Sequence, residues 1–133
     1  MSYKNTLITI SADSKVTSAK VPVAKNDKPT IASIGYDLIK NNPYKYTQDD
    51  VQFKTYLIKN QIEEVNVDEL REQFFSKPKA CFRASPLVKT YGWGIHYNEE
   101  GKVAIYDAES DAYQQLFDRE DITKQKGMRS KRK

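Results

Sequence analysis

The four residues Asn98-Glu99-Glu100-Gly101 constrain this chain more than any other stretch. Asn at the start and Gly at the end suit a type I turn followed by a left-handed glycine, the three-residue hairpin loop. Residues 91–97 and 102–106 flank it and pair symmetrically about it. Tyr97 then faces Val103, and Ile95 faces Ile105, with Trp93 on the same side. That face is aromatic and aliphatic throughout and is expected to be core. The opposite face holds Gly92, Gly94, His96, Ala104 and Tyr106. It is small in the middle, with polar groups beside the gap.

Upstream, the pattern is helical. Residues 29–41 place Ile31, Ile34, Leu38 and Ile39 on one stripe, with Pro29 in the first turn and Asn41-Asn42-Pro43 as the stop. Thr47 has the character of an N-cap, with Asp50 three residues on and Tyr46 and Val51 in the staple positions. A helix over 48–60 is expected. A strand competes, because Val51, Phe53, Thr55 and Leu57 also alternate. Asn66, Glu69, Val65 and Leu70 repeat the capping pattern ahead of a helix over 67–75 that Pro78 ends. Residues 6–10, Thr-Leu-Ile-Thr-Ile, form a first strand. Val21-Pro22-Val23 is a candidate edge strand, 80–84 a strand and 85–90 a linker. A short helix over 110–117 would bury Tyr113, Leu116 and Phe117. Helices followed by antiparallel strands argue an α+β domain with three to four helices over residues 1–123.

Charge is unevenly placed. The net charge is +4, yet residues 124–133 hold six basic side chains and no acid, leaving 16 basic against 18 acidic elsewhere. The basic end is expected to be a flexible tail. Lys126, Arg129, Lys131, Arg132 and Lys133 are its candidates for weak contact with nucleic acid or another polyanion. No segment approaches the ~20 apolar residues of a membrane span. Residues 1–10 lack the longer apolar run and small-residue site of a signal peptide. A lone Cys81 fits a reducing cytoplasm.

The composition also limits the chemistry. One His and one Cys exclude a structural zinc site, and neither a metal nor a cofactor is expected. Gly92-Trp93-Gly94 lacks the later glycines of a phosphate loop, and no Ser sits in a nucleophile elbow. Asp49-Asp50 suits capping, while Glu63-Glu64 and Glu99-Glu100 suit solvated loops. Cys81 and His96 would couple only if strand 80–84 adjoined the hairpin. Tyr44 and Tyr46 flank Lys45 in a pattern that suits base stacking, though the staple role already accounts for Tyr46.

The second hairpin face has two explanations. In one it is tight packing, with a helix against the glycines or Tyr106 over Gly94. In the other it is a shallow polar pocket walled by His96 and Tyr106. Arg83 and Ser85 would reach it from strand 80–84 and make an anion clamp. The leading expectation is a non-enzymatic binding module with that small polar site and a small anionic ligand. The alternatives are a small enzyme using His96, Arg83 and Tyr106, and a nucleic-acid accessory protein using the tail.

The runs Asn42-Pro43-Tyr44-Lys45-Tyr46-Thr47, Arg83-Ala84-Ser85-Pro86-Leu87 and Tyr91-Gly92-Trp93-Gly94-Ile95-His96, with the ending Met128-Arg129-Ser130-Lys131-Arg132, occur together in this order. With them the whole chain resembles a family of small bacterial proteins of this length that forms a domain of unknown function. The resemblance implies a bacterial cytoplasmic protein and a basic ending that belongs to the family pattern. It assigns no residue a role.

Overall fold

The N-terminal strand lies in the middle of the sheet, and that placement organises the rest of the chain. The structure, a computed structural model, describes residues 3–10, 19–23, 28–62 and 67–127. The elements run β1 (Thr6–Thr9), α1 (Ile31–Lys40), α2 (Gln48–Lys59), α3 (Val67–Phe75), a 3₁₀ turn (Phe82–Ala84), α4 (Pro86–Lys89), β2 (Trp93–Tyr97), β3 (Val103–Asp107), α5 (Asp111–Asp118) and β4 (Thr123–Lys126). This is an α+β domain around one four-stranded sheet of order β3-β2-β1-β4.

The hairpin register is the one its turn dictates. Tyr97 pairs with Val103, Ile95 with Ile105, and Trp93 with Asp107. Gly101 N–H donates to Asn98 O at 3.0 Å, and Gly101 takes φ 80°, the left-handed value that favours glycine. Asn98 Oδ1 accepts from Glu100 N and Lys102 N at 2.9 Å each, which locks the loop. β1 pairs antiparallel with β2, Ile8 facing Ile95. Alternation then sends Ile8, Trp93, Ile95, Tyr97, Val103 and Ile105 to one face, where they pack with Ile39 of α1, Val51 of α2, Phe82, and Leu87 and Val88 of α4. Leu7 points the other way and packs with Tyr113 and Leu116 of α5 and with Ile122.

The helices start where their caps place them. Thr47 and Asp50 form a reciprocal capping box, Asp50 N to Thr47 Oγ1 at 3.2 Å and Thr47 N to Asp50 Oδ2 at 3.1 Å. Residues 51–58 are therefore helical, and the competing alternation has a physical cause. Val51 and Thr55 lie on one flank, Phe53 and Leu57 on another, and all four are buried. Phe53 packs on Phe74 and Phe75 of α3 while Val51 joins the central core. A helix buried on two flanks alternates like a strand. In α1 the cap is Thr30, boxed with Ser33, so Pro29 precedes the cap rather than filling the first turn. Ile31 is consequently 60% exposed and not core. α3 spans the expected residues, while Val65 and Asn66 lie outside the described residues.

Further expectations are corrected. Residues 80–84 are not a strand, and 85–90 are not a linker. Ser85 caps α4 by accepting from Leu87 N at 3.2 Å, with Pro86 at the first helical position, so the Ser-Pro pair is a helix start. Val21-Pro22-Val23 forms no strand. The backbone beside it is held by Lys20 N to Tyr91 O and by Trp93 Nε1 to Lys20 O, each at 2.8 Å. Phe117 is 47% exposed, and α5 buries only Tyr113 and Leu116. The sheet is mixed, because β4 runs parallel to β1 and includes Lys124, Gln125 and Lys126. The first residues of the expected tail are thus an edge strand, extended by Gly127 N to Thr9 O at 2.8 Å. Thr-Lys-Gln-Lys has no apolar alternation to show a strand. Its pairing rests on backbone bonds, and lysines on an outer edge are ordinary. Arg129, Lys131, Arg132 and Lys133 lie outside the described residues.

Candidate functional site

The α5 side of the hairpin is filled rather than hollow. A Cβ at Gly94 would stand 2.7 Å from Tyr113 Cδ2 and closer still to Cε2, so the aromatic ring of α5 takes the space a side chain would need. Tight packing is therefore the correct account of the glycine, with Tyr113 as the cover instead of Tyr106. The Tyr113 hydroxyl accepts from Ile10 N at 3.3 Å, which ties the ring to the end of β1.

Beside that ring runs a short polar chain. Tyr44 OH lies 2.8 Å from His96 Nδ1 and 2.6 Å from Tyr106 OH. Tyr44 reaches in from the loop between α1 and α2, held by its own N–H to Val103 O at 2.9 Å. It takes φ 59°, a left-handed value uncommon for a bulky residue. Its ring meets His96 edge-on, with centroids 5.6 Å apart. Burial lowers the His96 pKa, and the Arg119 guanidinium lowers it further, against a smaller pull from Asp121. The imidazole is neutral at pH 7. Each bond has one proton to carry, so the chain runs from Tyr106 through Tyr44 to Nδ1, or in reverse with the other tautomer. Burial and then Tyr106 push the Tyr44 hydroxyl far above the usual tyrosine range, so it stays protonated. The arrangement orders a loop by mutual satisfaction. The hairpin face itself brings His96 and Tyr106 together; Tyr44, a base-stacking candidate in the sequence, joins them from 52 residues away.

Arg83 and Ser85 do not join this chain. Arg83 Nε donates to Lys126 O at 2.6 Å, at the β4 edge, and Ser85 is the α4 cap. Both stand in the segment whose Phe82 packs on the Ile95 face, so the sheet separates them from His96. The anion clamp and the Arg83-His96-Tyr106 enzyme site are not assembled. Cys81 does not meet His96 either. Its Sγ lies 3.4 Å from Tyr3 OH, a contact that raises the Tyr3 pKa together with burial. Among the described residues no group of three or more His, Cys, Asp or Glu is placed to hold a metal ion. No described helix is long and apolar enough to cross a membrane.

The open concavity lies on the other side of the sheet, among helices. A groove of about 340 Å³ runs between α1, α2 and the segment 79–87. Ile39, Val51, Phe82 and Leu87 make its floor; Ile31 and Gly35 line it from α1, and Thr55, Tyr56 and Lys59 from α2. Gly35 is four residues from Ile31, on the same helix face. A Cβ there would meet nothing within 4 Å. Glycine inside a helix costs roughly 0.5–1 kcal/mol relative to alanine, and no close packing accounts for it here. That glycine was the available sequence signal for the groove. Ser85 and Cys81 also line it, so one candidate from the sequence does reach a concavity, though not the expected one.

No curated protein and no solved structure matches the chain. A family model does, over residues 1–133, under the description family of unknown function. A match over residues 1–133 leaves one assignment: the chain belongs to the family of unknown function DUF6157.

Proposed function

We propose that this chain is a non-enzymatic binding module whose ligand lies in the groove between α1, α2 and residues 79–87, in a reducing compartment such as the bacterial cytoplasm. The observation that carries it is Gly35. An apolar floor, an exposed Ile31 and a helix glycine with open space above it combine into a cleft that the helix keeps clear at a stability cost. The cavity volume falls at the lower end of small-ligand sites, roughly 300–1,000 Å³. The polar chain at Tyr44, His96 and Tyr106 supports scaffold instead of catalysis, since its members spend their hydrogen bonds on each other.

The neutral dye Nile red tests the groove without presupposing a head group. The folded protein should brighten it with saturation at one site. Gly35→Leu, which fills the groove from an open helix position, should abolish that signal while its circular dichroism stays native. Equal saturable binding by Gly35→Leu would overturn the reading.

A further inference from the structure

We infer that the occupant of this groove is a small amphipathic anion of about ten non-hydrogen atoms in all, an apolar body whose anionic head meets Lys59 and Lys79. The inference rests on the binding-module reading above and adds the chemical class. Size comes first. A volume of about 340 Å³ holds about eleven water-sized volumes of ~30 Å³ each. That suits a short chain or a single ring, not a peptide helix.

Charge comes second. The described residues lining the groove include two lysines and no carboxylate. Tyr56 packs on Phe74 with centroids 4.8 Å apart, and the Lys79 ammonium sits 4.2 Å from the Phe74 centroid. Lys59 is three residues after Tyr56, on the same face of α2. Lys79 thus lies against the ring that packs on Tyr56, one turn before Lys59, and both lysines line the same groove. Lys59 Nζ donates one hydrogen bond to Pro29 O at 3.0 Å, which anchors its ammonium beside the start of α1 and leaves two further N–H donors. The positive end of the α1 dipole and the negative end of the α2 dipole lie near Lys59 and oppose each other, so the lysines carry the sign of the field. The rest of the lining exposes mostly apolar surface, with neutral polar groups such as Thr55 and Ser85 and no carboxylate, so a ligand charged at both ends would leave one charge without a partner.

Octanoate, octan-1-ol and octylamine separate the possibilities when titrated against the full chain by calorimetry. Octanoate should bind one site in the unmodified protein, and Gly35→Leu should remove it. Lys59→Gln with Lys79→Gln should weaken octanoate about fivefold, the scale of two exposed charge contacts, and leave octanol within about twofold. Lys59→Glu with Lys79→Glu should turn the preference toward octylamine. That reversal keeps the test valid if the neutral variant loses some stability. If octanol and octanoate respond alike to both lysine pairs, the anionic class is overturned while the groove stands. If none of the three gives binding sensitive to Gly35→Leu, the groove reading itself falls.

Discussion

Two glycines, one on each side of the sheet, carry opposite meanings. Gly94 in β2 lies under the Tyr113 ring, and a side chain there has no room. Gly35 in α1 looks into open space, and a side chain there has nothing to strike. The first glycine is required by packing, so it reports on the fold. The second is dispensable to the fold and costly to its helix, so it reports on something outside the fold. The same contrast runs through the neighbours. Around Gly94 the polar groups His96, Tyr44 and Tyr106 satisfy one another. Around Gly35 the apolar floor is uncovered and the charges are of one sign. The polar residues of the hairpin face are satisfied, and the open surface is mostly apolar.

The largest effect should come from breaking the first glycine. Gly94→Ala forces a methyl group against a buried ring that Ile10 N–H also holds. The expected loss is about 2 kcal/mol by urea unfolding, within the range for overpacked cores. Gly94→Ala with Tyr113→Leu should recover part of it. A neutral Gly94→Ala would mean that the ring swings away freely and that the α5 side has slack.

Next in size is the polar chain. Tyr44→Phe leaves the buried His96 Nδ1 and the half-buried Tyr106 hydroxyl without their shared partner, at a cost of about 1–2 kcal/mol. It should leave Nile red binding in the groove unchanged, because the sheet lies between. A loss of dye binding would join the two sides that the structure keeps apart.

Protonation strains the same chain less than cutting it, since a protonated Nδ1 can donate to Tyr44 and the bonds can reverse. The folded His96 pKa lies below its ordinary 6.5, first through burial and then through Arg119. Between those two values the unfolded chain binds more protons than the folded one. Stability should therefore fall as pH drops through 6.5 and level off below the folded value. His96 is the chain's one histidine, so His96→Gln should flatten urea midpoints between about pH 7.5 and 5.5. A slope that survives the substitution would assign the pH response to another group.

What the sequence made legible follows the range of each interaction. The hairpin register rests on Asn98 and Gly101, and the α2 start on Thr47 and Asp50, all within a few residues of what they control. The misread stretch 80–90 was also local. Ser85-Pro86 is a cap and first turn, and its signal was outweighed by the apolar Cys81 and Phe82. β4 was hidden for a different reason, since an all-polar edge strand is defined by its partner β1. Arg83 lies away from His96 because residues 82–84 form a 3₁₀ turn, not a strand beside β2. Tyr44 joins His96 across 52 positions, and the groove needs three separate segments; neither leaves a periodic trace.

The smallest effect, and a gain, is expected at the second glycine. Gly35→Ala removes the backbone freedom that glycine has in the unfolded chain and adds a methyl group that meets no atom within 4 Å. The protein should be stabilised by about 0.5–1 kcal/mol, the ordinary difference between these residues inside a helix. The added methyl group points into the groove beside Ile31, so it should also trim the space available to octanoate and weaken binding modestly. Stability and affinity would then move in opposite directions at one atom. A gain in stability with unchanged affinity would leave the glycine without a binding role. A loss of stability would show that the open space above α1 is closed in solution, and the contrast with Gly94 would disappear.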